Sequence, residues 1–280
     1  MLAYRHAFHA GNHADVLKHI VLMRVLAHLA AKEKPYRLVD THAGAGGYSL
    51  EGHYAKKRSE ASTGIGKLWS CPDPPAAVAD YVALVRRFNP DGALRQYPGS
   101  PLIAQALLRD GDRLSVFEAH PTEQKILRAA LAGDRRASVH DGDGYVGLKS
   151  QLPPPSRRGA VLIDPSYEGR TDYGRVIVTL RDALARFADG IYMVWYPQVS
   201  KLEARELPRR LRALSHRPWL DARLTVQGGN ASGFGLTGSG MFVLNPPHWL
   251  AAELAALLPW LARELGQDGS AAYTLERVDA

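Results

Sequence analysis

The sequence predicts an α/β protein built on a mostly parallel sheet. Three observations carry that expectation. Short apolar runs alternate with amphipathic stretches along most of the 280 residues, a glycine-rich turn follows the first run, and acidic residues collect where later runs end. Parallel neighbours need long crossovers, usually helical, so a βαβ rhythm implies such a sheet.

The elements follow in order. Val16, Leu17, Ile20, Val21, Val25 and Leu29 recur at near-helical spacing, predicting an amphipathic helix from Asn12 to Ala31 with Asn12 or Asp15 near its start. A strand at Arg37-Leu38-Val39-Asp40 runs into the turn Thr41-His42-Ala43-Gly44-Ala45-Gly46-Gly47. From 48 to 97 the pattern becomes charged and Pro-interrupted, with a helical stretch from Ala76 to Phe88 and no convincing strand, and reads as a helical insertion.

Alternation then resumes. It predicts a helix from Pro101 to Arg109, a strand Leu114–Glu118, a helix Thr122–Leu131, a strand near Ser138–His140, a helix Gly144–Leu152 and the apolar strand Ala160–Ile163. A helix Tyr173–Phe187, a strand Ile191–Trp195, a helix Lys201–Leu214, strands near 223–227 and 241–244, and a last helix Leu250–Leu265 complete the pattern.

Composition excludes several function classes. With 46% hydrophobic residues the chain buries a sizeable core, and no stretch approaches the roughly 18 uncharged apolar residues of a membrane span. The start, Met1 to His6, has no long apolar run, so the expected location is the cytoplasm. Cys71 is the only cysteine, which rules out a disulfide framework and a multi-cysteine zinc site. A net charge of +7, with basic pairs such as Lys56-Lys57-Arg58, Arg86-Arg87, Arg135-Arg136, Arg157-Arg158 and Arg209-Arg210, favours a polyanionic partner. Each pair alone is equally well a solvated face. His6, His9, His13 and His19 cluster without a carboxylate or cysteine to complete a metal site, so no metal is expected.

Open α/β sheets bind ligands beyond the carboxyl ends of their strands. There the reading places Asp40 with its glycine loop, Glu118, Asp141-Gly142-Asp143-Gly144, and Asp164-Pro165-Ser166-Tyr167. Glycines let a backbone approach a ligand closely, and an acidic residue ending the next strand accepts from both ribose hydroxyls, which together mark a nucleoside cofactor. No Lys-Ser/Thr follows the glycines, so the loop is not a phosphate loop. Ser100-Pro101 reads as a Ser N-cap followed by Pro at the first helical position, opening a helix whose free amides face the cofactor's carboxylate.

Asp164-Pro165-Ser166-Tyr167 resembles the Asp/Asn-Pro-Pro-aromatic signature of methyltransferases acting on adenine N6. That nitrogen is a poor nucleophile because its lone pair is delocalised into the ring. The Asp164 carboxylate and the Pro165 carbonyl, accepting its two hydrogens, favour the geometry of in-line transfer, while the Tyr167 ring stacks on the base. Ser166 stands where the signature has its second proline and loosens the turn. Asn245-Pro246-Pro247-His248 lacks the aromatic and reads as a strand exit. Gly233, Gly235 and Gly238 precede a strand and therefore read as a loop, not a dinucleotide fingerprint.

The segment Tyr4-Arg5-His6-Ala7-Phe8-His9-Ala10-Gly11-Asn12-His13-Ala14-Asp15-Val16-Leu17-Lys18-His19 resembles the RlmJ family of bacterial 23S ribosomal RNA adenine-N6 methyltransferases. The similarity continues through Asp40 to Gly46, Tyr97 to Pro101, Asp143-Gly144, Ile163 to Pro165, Trp195 to Pro197 and Asn245 to Pro247. It implies a Rossmann-like class I S-adenosylmethionine-dependent methyltransferase fold, with a mostly parallel seven-stranded sheet and helices on both faces. It also implies a methyltransferase domain of residues 1–47 and 98–280, whose segment 1–31 serves substrate and cofactor, and an inserted helical subdomain at 48–97.

The resemblance implies that Lys18, His19, His42, Gly44, Ser100, Glu118, Asp143, Gly144 and Asp164 line a site for S-adenosyl-L-methionine. Asp164 is implied as the catalytic residue, binding the target amine and accepting its proton, with Tyr4 beside Pro165 and Tyr167 near the substrate. Lys18, His19 and Tyr4 owe these roles to the resemblance alone, since by residue pattern the first two sit on a helix surface and Tyr4 is an ordinary terminal aromatic. The implied partner is 23S rRNA, with no membrane and no obligate protein partner. DNA adenine methylation, and a non-catalytic nucleic-acid-binding role in DNA uptake or use, are the alternatives.

Overall fold

The computed structural model describes residues 9–51, 60–214, 216–229 and 235–279. A helix, α1 (His13–Ala30), precedes strand β1 (Arg37–Asp40), and the first departure from the predicted order comes directly after the glycine turn. There β2 (Gly47–Ser49) pairs antiparallel with β3 (Gln96–Pro98), placing Tyr48 opposite Tyr97. Both edges of the segment expected to lack strands therefore carry one, three residues long and held by pairing rather than by propensity. Between them lie a 3₁₀ turn (Glu60–Thr63), α2 (Ile65–Trp69) and α3 (Ala76–Arg86).

From Ser100 the rhythm is regular: α4 (Ser100–Leu107), β4 (Arg113–Glu118), α5 (Pro121–Ala130), β5 (Ala137–Asp141), α6 (Gly144–Gln151), β6 (Gly159–Ile163), α7 (Arg170–Arg186), β7 (Ile191–Gln198) and α8 (Leu202–Arg212). Then come β8 (Trp219–Thr225), β9 (Gly238–Leu244), α9 (Leu250–Leu265) and β10 (Ala272–Val278). The main sheet runs β10-β8-β9-β7-β6-β1-β4-β5. The five strands from β7 to β5 pair in parallel, while β9 is antiparallel to β7 and β8, and β10 to β8.

Among the described residues the sheet thus has eight strands where seven were expected. The extra strand is β10, an outer strand with mostly exposed side chains and no clear apolar alternation in its sequence. The parallel half has the Rossmann order, with chain direction across the sheet reversing at β1, between β4 and β6. That reversal opens a crevice at the strands' carboxyl ends.

Period-two alternation divides the core between the faces. Ala160 and Leu162 of β6 join the cluster built around α1, α4 and α9, while Val161 and Ile163 join the one under α6, α7 and α8. The first cluster continues through Ile65, Leu68, Val78 and Tyr81, so the segment between β2 and β3 shares the core of α1. Helix α1 is consequently buried nearly all round, Asp15, Lys18 and His19 included, and not amphipathic with one solvated face. No helix among the described residues is long and apolar enough to cross a membrane.

One arginine in each of three basic pairs is engaged within the fold. Arg86 stacks 4.5 Å over Trp69, Arg136 grips Asp134, and Arg158 donates to the carbonyl of Leu29. Lys56-Lys57-Arg58 lies outside the described residues.

Candidate nucleoside and base site

Asp40 ends β1 at the crevice and is fully buried. Ser100 Oγ donates to its Oδ2 at 2.6 Å and the His42 backbone N–H to its Oδ1 at 3.2 Å. Burial outweighs these bonds and pushes the carboxyl up from 3.8 to about 6. Ser100 is therefore not the helix cap that Ser-Pro predicts: the N-cap of α4 is Gly99, and the serine hydroxyl reaches back to Asp40 instead. His42 packs edge-on to Tyr145 at 4.6 Å, and burial lowers its pKa to about 3, leaving a neutral imidazole at physiological pH.

Gly44 sits at φ +61, and a side chain there would strike the Tyr48 hydroxyl. Its N–H donates to Glu118 Oε2 at 2.8 Å, while the His120 N–H donates to Oε1 at 2.7 Å. The need for glycine at this turn is thus met by the protein's own packing. Two backbone donors fix the Glu118 carboxylate at the end of β4, and each oxygen retains acceptor capacity. Burial raises its pKa. Asp143 caps α6 by accepting from the Tyr145 N–H at 2.9 Å and is ion-paired with Arg175, which lowers its pKa against the effect of burial. Asp141 pairs with Arg128 at 2.6 Å outside the cavity, and Gly144 is required because any side chain would enter the Thr41 carbonyl.

Asp164 follows β6, and the turn closes on Tyr167 in the left-handed region, φ +53. A non-glycine residue there is held by its surroundings. Tyr167 donates to the Trp195 carbonyl at 2.7 Å, and its ring makes tilted contacts with Tyr173 and Trp195, with centroids 4.7 and 6.0 Å away. These contacts fix the turn on the side that Ser166 leaves without a second proline.

The opposite wall is α1. Lys18, expected on a helix surface, is 4% exposed and His19 is 0% exposed. Lys18 Nζ lies 2.7 Å from Asp15 Oδ1 and 2.7 Å from Asp164 Oδ2. Burial favours the neutral amine, but the two carboxylates reverse this and hold the pKa well above its usual value. His19 Nδ1 hydrogen-bonds the Tyr97 hydroxyl at 2.7 Å, and that hydroxyl meets Tyr81 at 2.8 Å.

Lys18, His19, His42, Gly44, Ser100, Glu118, Asp143, Gly144, Asp164, Pro165 and Tyr167 all line one cavity of about 600 Å³. Tyr4 falls outside the described residues, as does Gly233, while Gly235 reaches the cavity rim and Gly238 opens β9. Asn245 leaves β9 with its amide donating to the carbonyls of Ala188 and Gly190, as befits a strand exit. The cavity also takes in Asp15, Tyr173, Arg175 and Trp195, to which residue-level reading assigns no role. Trp195 lies in a segment of family similarity, and Asp15 stands three residues before Lys18; nothing in the sequence marks Arg175. Buried Tyr145 Oη, Tyr173 Oη and Trp195 Nε1, all on cavity residues, have no hydrogen-bond partner among the described residues. A cavity with fixed carboxylates, a neutral imidazole and unpaired donors fits a polar aromatic ligand such as a nucleoside.

The family model described as ribosomal RNA large subunit methyltransferase D, RlmJ, matches residues 33–277. The chain is 44% identical over 278 residues to the Escherichia coli protein named ribosomal RNA large subunit methyltransferase J, covering 99% of both chains. It is 43% identical over 279 residues to the Haemophilus influenzae protein of the same name, again over 99% of both. A crystal structure of a Legionella pneumophila protein superposes with a TM-score of 0.87 at 35% identity, covering 96% of this chain and 98% of that one. Matched across nearly its whole length, and built on the sheet order and crevice described above, the chain belongs to the RlmJ family of ribosomal RNA large subunit methyltransferases.

Proposed function

We propose that this protein transfers a methyl group from S-adenosyl-L-methionine to the exocyclic N6 amine of one adenine in 23S rRNA. The observation that carries the reading is Asp164 at the carboxyl end of β6, in the same cavity as Glu118 and Asp143. The names of the relatives support a large-subunit rRNA substrate.

In this reading Glu118 accepts the ribose hydroxyls, held by the Gly44 and His120 amides. Asp143 receives the donor's adenine amine, and Lys18, His19, His42, Ser100 and Gly144 complete its walls. The Asp164 carboxylate and Pro165 carbonyl hold the target amine, while Tyr167 and the N-terminal Tyr4 flank the base. Bound donor supplies a methyl on a sulfonium: the amine lone pair forms the N–C bond as the C–S bond breaks, its pair passing to sulfur, and the proton leaves nitrogen for Asp164. In this reading the methyltransferase domain comprises residues 1–47 and 98–280, its segment 1–31 serving substrate and cofactor, and residues 48–97 are an inserted helical subdomain that is a candidate for gripping RNA.

The test is incubation with tritiated donor and unmodified 23S rRNA, assembled subunits or DNA, followed by mapping of the label. Label at one adenine N6 of 23S rRNA is expected. Label on DNA alone, label at another base, or absence of any thermal shift with the donor overturns the proposal. Asp164→Ala is expected to retain most RNA affinity and lose transfer, because phosphate contacts dominate binding.

A further inference from the structure

We infer that Asp15 is a positioning residue for methyl transfer: it takes up the charge of Lys18 and so leaves Asp164 with a net negative charge at the target amine. The inference rests on the reading of Asp164 given above.

The argument is one of geometry and charge. Lys18 Nζ lies 2.7 Å from each of two carboxylates. A buried ammonium needs one anion to be neutralised, and a second leaves the cluster with one excess negative charge. Both carboxylates line the cavity, but the Asp15 side chain is 1% exposed while that of Asp164 is 14% exposed, so the excess charge opens to the cavity at Asp164. Excess buried charge destabilises a fold, so its placement beside the cavity points to use.

The cluster is also anchored from the far end. Asp15 Oδ2 accepts from the Gly11 N–H at 2.8 Å, and its own N–H donates to the Asn12 cap at 3.0 Å. Asp15 is thus fixed without help from Asp164, and Lys18, one turn along α1, is aimed by it. Were Lys18 paired with Asp164 alone, the pair would be neutral, and the carboxylate would be a poorer partner for an amine becoming cationic as its bond to carbon forms.

Single-turnover transfer at saturating tritiated donor and 23S rRNA tests the inference, alongside donor affinity by calorimetry and RNA affinity by fluorescence anisotropy. Asp15→Asn is expected to slow transfer about 10- to 100-fold, the loss typical when the partner that orients an active ligand is removed. Both affinities should stay within about threefold. Adding Lys18→Met to Asp15→Asn restores the negative charge on Asp164 and is expected to recover part of the rate, which a merely structural role for Asp15 would not allow.

Transfer by Asp15→Asn within about threefold of the parent overturns the inference, as does a double variant slower than the single one. Should Asp15→Asn fail to fold, Asp15→Glu carries the test: it keeps the negative charge beside Lys18 and is expected to retain transfer within about tenfold, and a loss as large as that of Asp164→Ala overturns the inference. Asp164→Ala, measured in parallel, separates the failures. If that variant transfers normally, the role of Asp164 itself is wrong; if it is inactive while Asp15→Asn is normal, only the role of Asp15 is.

Discussion

The two walls of the cavity hold their charges by different means. On the sheet wall three carboxylates have backbone or hydroxyl partners, and only Asp164 reaches across to Lys18: Glu118 has two amides, Asp143 has the start of α6 together with Arg175, and Asp40 has the His42 amide and Ser100. On the α1 wall the fixing is done by opposite side-chain charges, Asp15 and Asp164 around Lys18. A strand end with its loop supplies free N–H groups that can aim a carboxylate, whereas past the first turn of α1, where the Gly11 amide reaches Asp15, the helix has none to spare, so the charge of Lys18 must be met by charge. The sheet wall should therefore tolerate loss of a side chain's charge, and the α1 wall should not.

Lys18→Met is the most severe way to break the contrast. It leaves Asp15 and Asp164 facing one another in a buried site, and removing one partner of a buried ion pair costs about 3–5 kcal/mol. In a chain of this size that is a fall in Tm of roughly 10 °C. One of the two carboxylates can escape by binding a proton, which raises its pKa in the fold. The loss should accordingly be smaller near pH 5 than near pH 8, as scanning calorimetry at both values would show. Equal stability to the parent at pH 8 would mean that the lysine charge is not what the helix wall depends on.

Asp40 tests the sheet wall at the point where its partners fall short. Its pKa in the fold is about 6 against 3.8 ordinarily, so the folded protein binds a proton that the unfolded chain releases. The stability this confers is fully present below about pH 3.8 and is lost as pH rises through 6, amounting to roughly 3 kcal/mol. Asp40→Asn stays neutral, can accept from the His42 amide and can donate to Ser100. Its stability relative to the parent should rise by about that amount between pH 4 and pH 8, read from urea unfolding. A difference independent of pH would show that Asp40 is ionised in the fold.

The same contrast explains what the sequence makes legible. The parallel half follows from the alternation of apolar runs and helices, and the sheet-wall residues from their place after those runs. Lys18 and His19 are hidden because α1 is covered from two sides, by the sheet and by the segment between β2 and β3, and no local pattern reports the second cover. Ser100 misleads for a related reason: Ser-Pro is a sound helix start, but the buried Asp40 carboxyl competes for its hydroxyl. Strand β10 escapes notice because an edge strand with exposed faces needs no apolar alternation.

The smallest expected effect separates a cap from a charge on the sheet wall. Asp143 does two jobs, accepting the Tyr145 N–H at 2.9 Å and pairing with the half-exposed Arg175. Asp143→Asn keeps an acceptor for the first and loses the second, so stability should fall by less than about 0.5 kcal/mol, as for exposed pairs generally. Asp143→Ala loses both and should cost about 1 kcal/mol, the usual value of an N-cap. Urea unfolding of the two variants resolves the order. If Asn proved as damaging as Ala, the ion pair with Arg175 and not the start of α6 would be holding this carboxylate, and the sheet wall would depend on opposite charge as the helix wall does.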